Sequence, residues 1–342
     1  MKKCLLFCAL MFWFTTGSQS FADVLEGPNG PVEFVGLQDW TAPKLFEAIK
    51  ETAEDRGFHA CAAVMKSDLD FSDAAVFVYF DSFEDGSWQG YTVVVGVEDS
   101  SGVQYRTPGS QTIELPESWQ KLKSAAEEDF NTVSTLVYAR YLADEAGSNN
   151  IEELAVQLGA NPETSDEVWK LVGSIEEETD TDLALEVLAK DASWSSRFVA
   201  LVVLGLTPEN DASWHGLADS LIDSAPQVTN MAGRVIQGLI RSGKASPVQW
   251  SGGRETLLSL FAGTNPFAFN EILSTLVATE IDPEFGRELV LAMPDLILAH
   301  AGAEYEKFGK PAQDFLAAIS GEDFGRNVKA WSEWLTGTDS EP

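Results

Sequence analysis

The chain has 342 residues, 44% of them hydrophobic, enough to bury more than one core. Its 54 acidic side chains against 22 basic ones give a net charge of −32, which repels phosphate backbones and anionic lipid headgroups and argues against nucleic-acid or membrane-surface partners. The acidic residues are scattered, with Glu176-Glu177-Glu178 the longest pure run, as expected of a solvated surface.

The N-terminus reads as an export signal over residues 1–22. Lys2 and Lys3 precede the apolar run Cys4–Phe14, and Ser20-Phe21-Ala22 sets small residues where a signal peptidase would cut, so the mature chain is expected to begin at Asp23. The run is shorter than the roughly 20 residues that span a bilayer. No later segment is long and apolar enough to do so, so no membrane insertion is expected after cleavage. The expected location is periplasmic or secreted. Loss of Cys4 and Cys8 with the signal leaves Cys61 alone, which precludes an intrachain disulfide, and its apolar setting in His59–Met65 reads as a buried, inert thiol.

Residues 23–116 read as a small α+β domain. Gly27-Pro28-Asn29-Gly30-Pro31 is a turn cluster. Pro43–Arg56 is an amphipathic helix with Leu45, Phe46, Ile49 and Ala53 on one stripe, stopped by Gly57. Three β-rich runs follow, Phe58–Met65, Ala74–Phe80 and Tyr91–Val97, the last two joined by the polar loop Asp81–Gly90. Val103–Arg106 and Thr112–Leu115 are further strand candidates before a boundary at Leu115-Pro116. Hairpin-connected strands after one helix predict an antiparallel sheet.

From Glu117 onward the periodicity is helical. Residues 117–149 hold a connecting helix or helices (Ser124–Ala146), closed by Gly147-Ser148-Asn149-Asn150. Over 150–336 a helix-pair pattern recurs. Val202, Val203 and Leu206 return as Val235, Ile236 and Leu239 at an offset of 33, and Leu183, Ala184, Val187 and Leu188 return as Leu217, Ala218, Leu221 and Ile222 at 34. The pairs read as Ile151–Leu158 with Ser165–Ile175, Asp182–Lys190 with Ala192–Leu206, and Ser213–Asp223 with Ala225–Arg241. A fourth pair lies around Leu257 and Ile272. Pro283–His300, kinked or split at Pro294, and Pro311–Ile319 continue the series. Asp191 and Ser224 sit 33 apart as caps of second helices, with Pro226 in the first turn of its helix. Residues 337–342 read as a disordered tail.

Recurrence at this period predicts stacked helix pairs, each burying its apolar face against its neighbours. The array resembles the HEAT repeat family over roughly Asn150–Leu335. Its closing segment, Gly321-Glu322-Asp323-Phe324-Gly325-Arg326 running into a helix with Trp331 and Trp334 spaced W-x-x-W, resembles the ending of bacterial HEAT-like proteins. The resemblance implies an α-solenoid that holds protein partners. Tetratricopeptide repeats share the spacing, but their residue pattern is not present in register.

No residue set specifies a reaction, so no catalytic, cofactor-binding or metal residues are assigned and no cofactor is expected. His59, His215 and His300 share no metal-ligand spacing. Asp81, Glu84 and Asp85 before Gly86 superficially suggest a calcium loop, yet Phe83 and Thr92 occupy ligand positions. Asp68, Asp70 and Asp73 flank a strand, and Asp180 and Asp182 read as helix caps. Trp194 and Trp214, from the twice-occurring Asp-Ala-Ser-Trp, are either exposed anchors or packing against the next repeat. The leading expectation is an exported, non-enzymatic binding or scaffold protein that holds a protein partner on its helical-repeat surface. The alternative is an envelope enzyme with a carboxylate-based site, with or without a divalent metal, within Asp68–Asp85.

Overall fold

The computed structural model describes residues 24–27, 29–52, 60–82, 88–146 and 150–337. The expected leader and its cleavage point, Pro28, Gly57, the closure at 147–149 and the tail from 338 lie outside these residues.

Four strands form one sheet in the order β1-β2-β4-β3: β1 (Val24–Gly27), β2 (Gly30–Val35), β3 (Asp73–Ser82) and β4 (Trp88–Val97). The sheet is mixed, not antiparallel, because β4 lies parallel to β2 while pairing antiparallel with β3. The composition of β4 explains its place. Val93, Val94 and Val95 are all fully buried, so both of its faces need cover and it takes the centre of the sheet. The described part of the run Phe58–Met65, from Ala60 on, is not a strand. Within it, helix α2 (Cys61–Asp68) begins, burying Cys61, Val64 and Met65 at helical spacing, and its Ala, Met and Lys residues are good helix formers.

Helices α1 (Ala42–Thr52) and α2 cover one face of the sheet, against Val32, Phe34, Ala74 and Val94. The alternate residues Val35, Ala75, Val93 and Val95 face the other way and join a continuous core with the helical region. The sheet is therefore a middle layer between two small helices and a large helical body.

That body begins with α3 (Glu117–Glu128) and α4 (Phe130–Ala146), which break at Asp129. It continues through α5 (Ile151–Gln157), α6 (Ser165–Ser174), α7 (Thr181–Lys190), α8 (Trp194–Leu204), α9 (Asp211–Ser220) and α10 (Pro226–Arg241). Then come α11 (Arg254–Phe261), α12 (Phe269–Ala278), α13 (Pro283–Ala292), α14 (Pro294–Ala301), α15 (Glu306–Ser320) and α16 (Val328–Thr336). Helices α7, α9, α11 and α13 touch in that order, as do α8, α10, α12 and α15. Helices α5 and α6 pack chiefly on α4 and α3, while α3 leans on α8 and α4 on α10.

The stretch from 98 to 116 forms no strand ladder. It runs instead along the loops that join first to second helices, in reverse order. Gln104 N donates to Thr264 Oγ1 at 2.8 Å, Arg106 N to Ile222 O at 2.7 Å, and Gln111 N to Lys190 O at 2.9 Å. Isolated parallel bridges pair Arg106 with Asp223 and Gln111 with Asp191. At Gly109 the chain passes so close that a Cβ would fall 2.0 Å from Lys190 O, which only glycine permits.

A buried ion pair ties these loops together. Arg197 and Asp223 are each 1% exposed, and Arg197 Nε and Nη2 donate to the two Asp223 oxygens at 2.9 and 3.0 Å. Arg197 Nη1 donates to the carbonyls of Asp191 and Ala192, and Arg106 Nη2 reaches Asp223 at 3.1 Å. Neither Asp191 nor Ser224 caps its helix, because the N-cap residues are Ser193 and Ala225 and neither makes a side-chain capping bond. Asp191 accepts from Ser193 N and Asp223 from Ala225 N, each two residues on, whereas Ser224 is exposed. Arg197→Met would leave Asp223 buried with only part of its partner charge, at a cost of about 3–5 kcal/mol in urea unfolding. Lys170→Met, which removes the exposed pair with Asp166, should cost under about 0.5 kcal/mol.

Candidate functional site

Of the carboxylates singled out in the sequence, Asp73 and Asp81 are held apart and put to structural use. Asp73, 1% exposed, accepts from Tyr105 OH at 2.5 Å and Asn265 N at 3.0 Å, with Lys66 Nζ at 3.2 Å. Asp81 lies eight residues along the same strand, about 26 Å away at 3.3 Å per residue. There it accepts from Lys307 Nζ at 2.6 Å and Tyr305 OH at 3.0 Å, and the Lys307 contact holds its carboxyl below the usual range. Asp68 lies at the end of α2, beside Ser67, and Asp70 has a left-handed backbone with φ of 58°. Phe83, Glu84, Asp85 and Gly86 lie outside the described residues. Asp180 caps α7 by accepting from Leu183 N, and Asp182 sits in the first turn, where its charge suits the helix dipole. Among the described residues no group of three or more His, Cys, Asp or Glu is placed to hold a metal ion.

The sheet carries one carboxylate that sequence reading missed. Glu33 on β2 is fully buried and accepts from Glu304 N, Tyr305 N and Tyr91 OH, docking the start of α15 onto the sheet. Alternation marks the position as facing the helices, but nothing local reveals that a neighbouring loop would supply the donors.

His59 lies outside the described residues, and the other two histidines are remote from each other in role. Nε2 of His215 bonds the Gln249 carbonyl at 2.9 Å. His300 is fully buried beside Phe269 and Phe308. Asn270 Nδ2 donates to Phe308 O, so its Oδ1 faces His300 and the imidazole proton resides on Nδ1. Burial lowers the imidazole to about 3, so the ring is neutral at ordinary pH. Burial raises the Cys61 thiol to about 12, which keeps it protonated and unreactive.

The tryptophans divide by exposure. Trp214 and Trp331 are fully buried and donate to Pro208 O and Gly325 O, while Trp194 is half-buried edge-on to Phe130 and Trp334 lies under Arg287. Among the described residues the exposed one is Trp88, 70% accessible at the far end of β4, with Phe80 at 66% and Val78 at 49% on the same face of β3. β3 is an edge strand. Its Ala74 amide turns away from β4 to Asp73 Oδ1, so alternation points the amides of Val78 and Phe80 toward the open side as well.

A second open feature is a cavity of about 610 Å³ between the segment 112–115, α3 and the start of α8. Glu114, Lys123, Asp191, Ser193 and Ser196 are among the residues that line it.

One half-buried acid, Glu271, bears on stability. Glu271 on α12 presses against Gly233 of α10, its Oε1 is sealed from solvent without a partner, and burial raises its carboxyl from 4.5 to about 8. Between those values the native state keeps a proton that the unfolded chain releases, so stability falls as pH rises from about 5 to 8. Glu271→Gln should remove this slope, with a gain on the order of a few kcal/mol at pH 8 and little change at pH 5. Urea midpoints at the two pH values measure it, and equal slopes in both proteins would count against it.

No helix of the described residues is long and apolar enough to cross a membrane. No family model matches this chain, and neither the curated proteins nor the solved structures contain a match to it.

Proposed function

We propose that this is an exported, non-enzymatic binding or scaffold protein, in which an α-solenoid of HEAT-like helix pairs supports the capture of a protein partner in the periplasm. The ordered contacts of α7, α9, α11 and α13 beside those of α8, α10, α12 and α15 support the solenoid reading. The observation that carries the binding reading is the ledge of Val78, Phe80 and Trp88. Two large aromatics more than half exposed, beside unpaired strand amides, fit a contact surface, since aromatic anchors dominate binding energy and an open edge accepts an extended segment. The enzyme reading has less support, because Asp73 and Asp81 are occupied by Tyr105, Asn265, Tyr305 and Lys307.

A photo-crosslinking residue at position 80 or 88 in producing cells should give one adduct of discrete mass, and the same residue at Leu158 or Leu291, exposed on the helical body, should give none. Equal labelling at all four positions, or none at 80 and 88, would overturn the reading. Export has its own readout: protein released by osmotic shock should begin at Asp23, and recovery only with the spheroplasts would exclude it.

A further inference from the structure

Only the first part of β3 is covered along its outer edge. Asp73 is bonded to Tyr105 OH and Asn265 N, and the ring of Phe267, in the turn before α12, stacks on Phe77 with centroids 5.1 Å apart. Further along, Val78 and Phe80 turn their amides and carbonyls away from β4, and no backbone group among the described residues meets them. Those groups lie in a row that an extended chain can pair. Natural edge strands are commonly protected by a Lys, a Pro or a bulge. β3 has none of these. Its register with β4 is unbroken from Asp73 to Ser82, and no Lys, Arg or Pro falls between 67 and 105.

The two faces beside this edge differ, and they set the side chains that a pairing segment needs. On one face Phe80 and Trp88 expose their rings, and Gly90, opposite Phe80, offers no side chain to cover it. Exposed aromatic faces attract Lys and Arg, whose aliphatic stems also cover apolar surface. On the other face Phe77 and Phe267, the latter 64% exposed, offer apolar contact. Charge decides between occupants. A second copy would bring a net charge of −32 against −32. The carboxylates of β3 are already paired within the chain, Asp73 with Lys66 and Asp81 with Lys307, so they give no compensating bonds between copies. A cationic segment is drawn in by the same field. We propose that the open edge of β3 binds an extended basic segment of another protein, which adds as a further strand with Lys or Arg over Phe80 and Trp88 and aliphatic residues beside Phe77 and Phe267. This rests on the ledge being a contact surface and names the chemistry of what it contacts.

Calorimetric titration of the chain beginning at Asp23 with the peptide acetyl-Arg-Val-Arg-Val-Arg-Val-Arg-amide tests it. Binding should be saturable, with one peptide per chain. The isomer with all its Arg ahead of its Val has the same charge and no alternation, and it should bind at least about tenfold more weakly, as should the peptide with Glu in place of Arg. Methyl groups on the Arg amides or on the Val amides should weaken binding at least about tenfold from one set only, since alternate amides face the edge. Phe80→Ser and Trp88→Ser should each weaken the alternating peptide about fivefold or more. Val78→Pro, which deletes an outward amide and spares the β4 ladder, should weaken it as much, and Val78→Thr should not. Circular dichroism checks the fold of each variant. No saturable heat with the alternating peptide up to about 1 mM would overturn the proposal, and adducts at 80 and 88 in cells would then leave the contact surface standing without it. Equal affinity for the two Arg isomers, equal effects of the two methylated sets, or a dimer of the chain that Val78→Pro dissociates would overturn it as well.

Discussion

Arg197 is the one Lys or Arg fully buried among the described residues, and the layout of the molecule turns on it. Its guanidinium meets Asp223 with two parallel bonds and the carbonyls of Asp191 and Ala192 with a third nitrogen, joining the loop after α7 to the loop after α9. Arg106 adds a second cation to Asp223 and a bond to Leu188 O, which draws the segment after the sheet onto the same two loops. Such a pair contributes little net energy relative to an apolar substitute, but its loss on one side is severe. Its value lies in register. With four donors on one carboxylate, the two loops and the crossing segment have a single arrangement that satisfies them all.

The same device appears wherever a long-range contact must be fixed. Glu33 takes two amides from the start of α15, Asp73 takes Asn265 N and Tyr105 OH, and Asp191 takes Ile113 N. A buried carboxylate that accepts amide hydrogens replaces water with charge-assisted bonds and specifies which loop it meets. In a chain so rich in Asp and Glu, a few of these residues act as docking points and the remainder keep the surface solvated. Asp73 and Asp81, members of the acidic clusters in the sequence, belong to the first group, since each fixes a distant segment against β3.

Most helices were legible because their signal is local. Apolar spacing and start residues place α7 and α10 within a residue of their expected limits, with Asp180 capping and Pro226 in the first turn. Three features were hidden for different reasons. The run holding Cys61, Val64 and Met65 is short and apolar, which fits strand or helix until the spacing of buried residues is known. The parallel pairing of β2 with β4 is a choice between distant segments, and hairpin logic sees only β3 with β4. The path of residues 98–116 depends on acceptors such as Thr264 and Lys190 that lie far along the chain. Of the open features, the ledge reads in sequence as an ordinary hairpin end, and the cavity needs 112–115, α3 and α8 brought together.

These placements also decide how the two open features relate. The ledge stands at one end of β3, where Asp81 is held by Tyr305 and Lys307, and the other end of that strand is pinned through Asp73 to Tyr105 and Asn265. The cavity wall at 112–115 belongs to the same crossing segment as Tyr105 and Arg106, held by Asp191 and Lys190. The cavity therefore rests on the crossing segment held by bonds to successive loops, and the ledge shares that segment only through the far end of β3. If that segment detached, the cavity would lose a wall and β3 would lose the Tyr105 bond, so any ligand that fills the cavity must favour the laced state by its own binding energy. Coupling of this kind needs no moving part. It requires only that the segment from Gln104 to Ile113 be shared, and the bonds to Thr264, Asp223, Lys190 and Asp191 make it so.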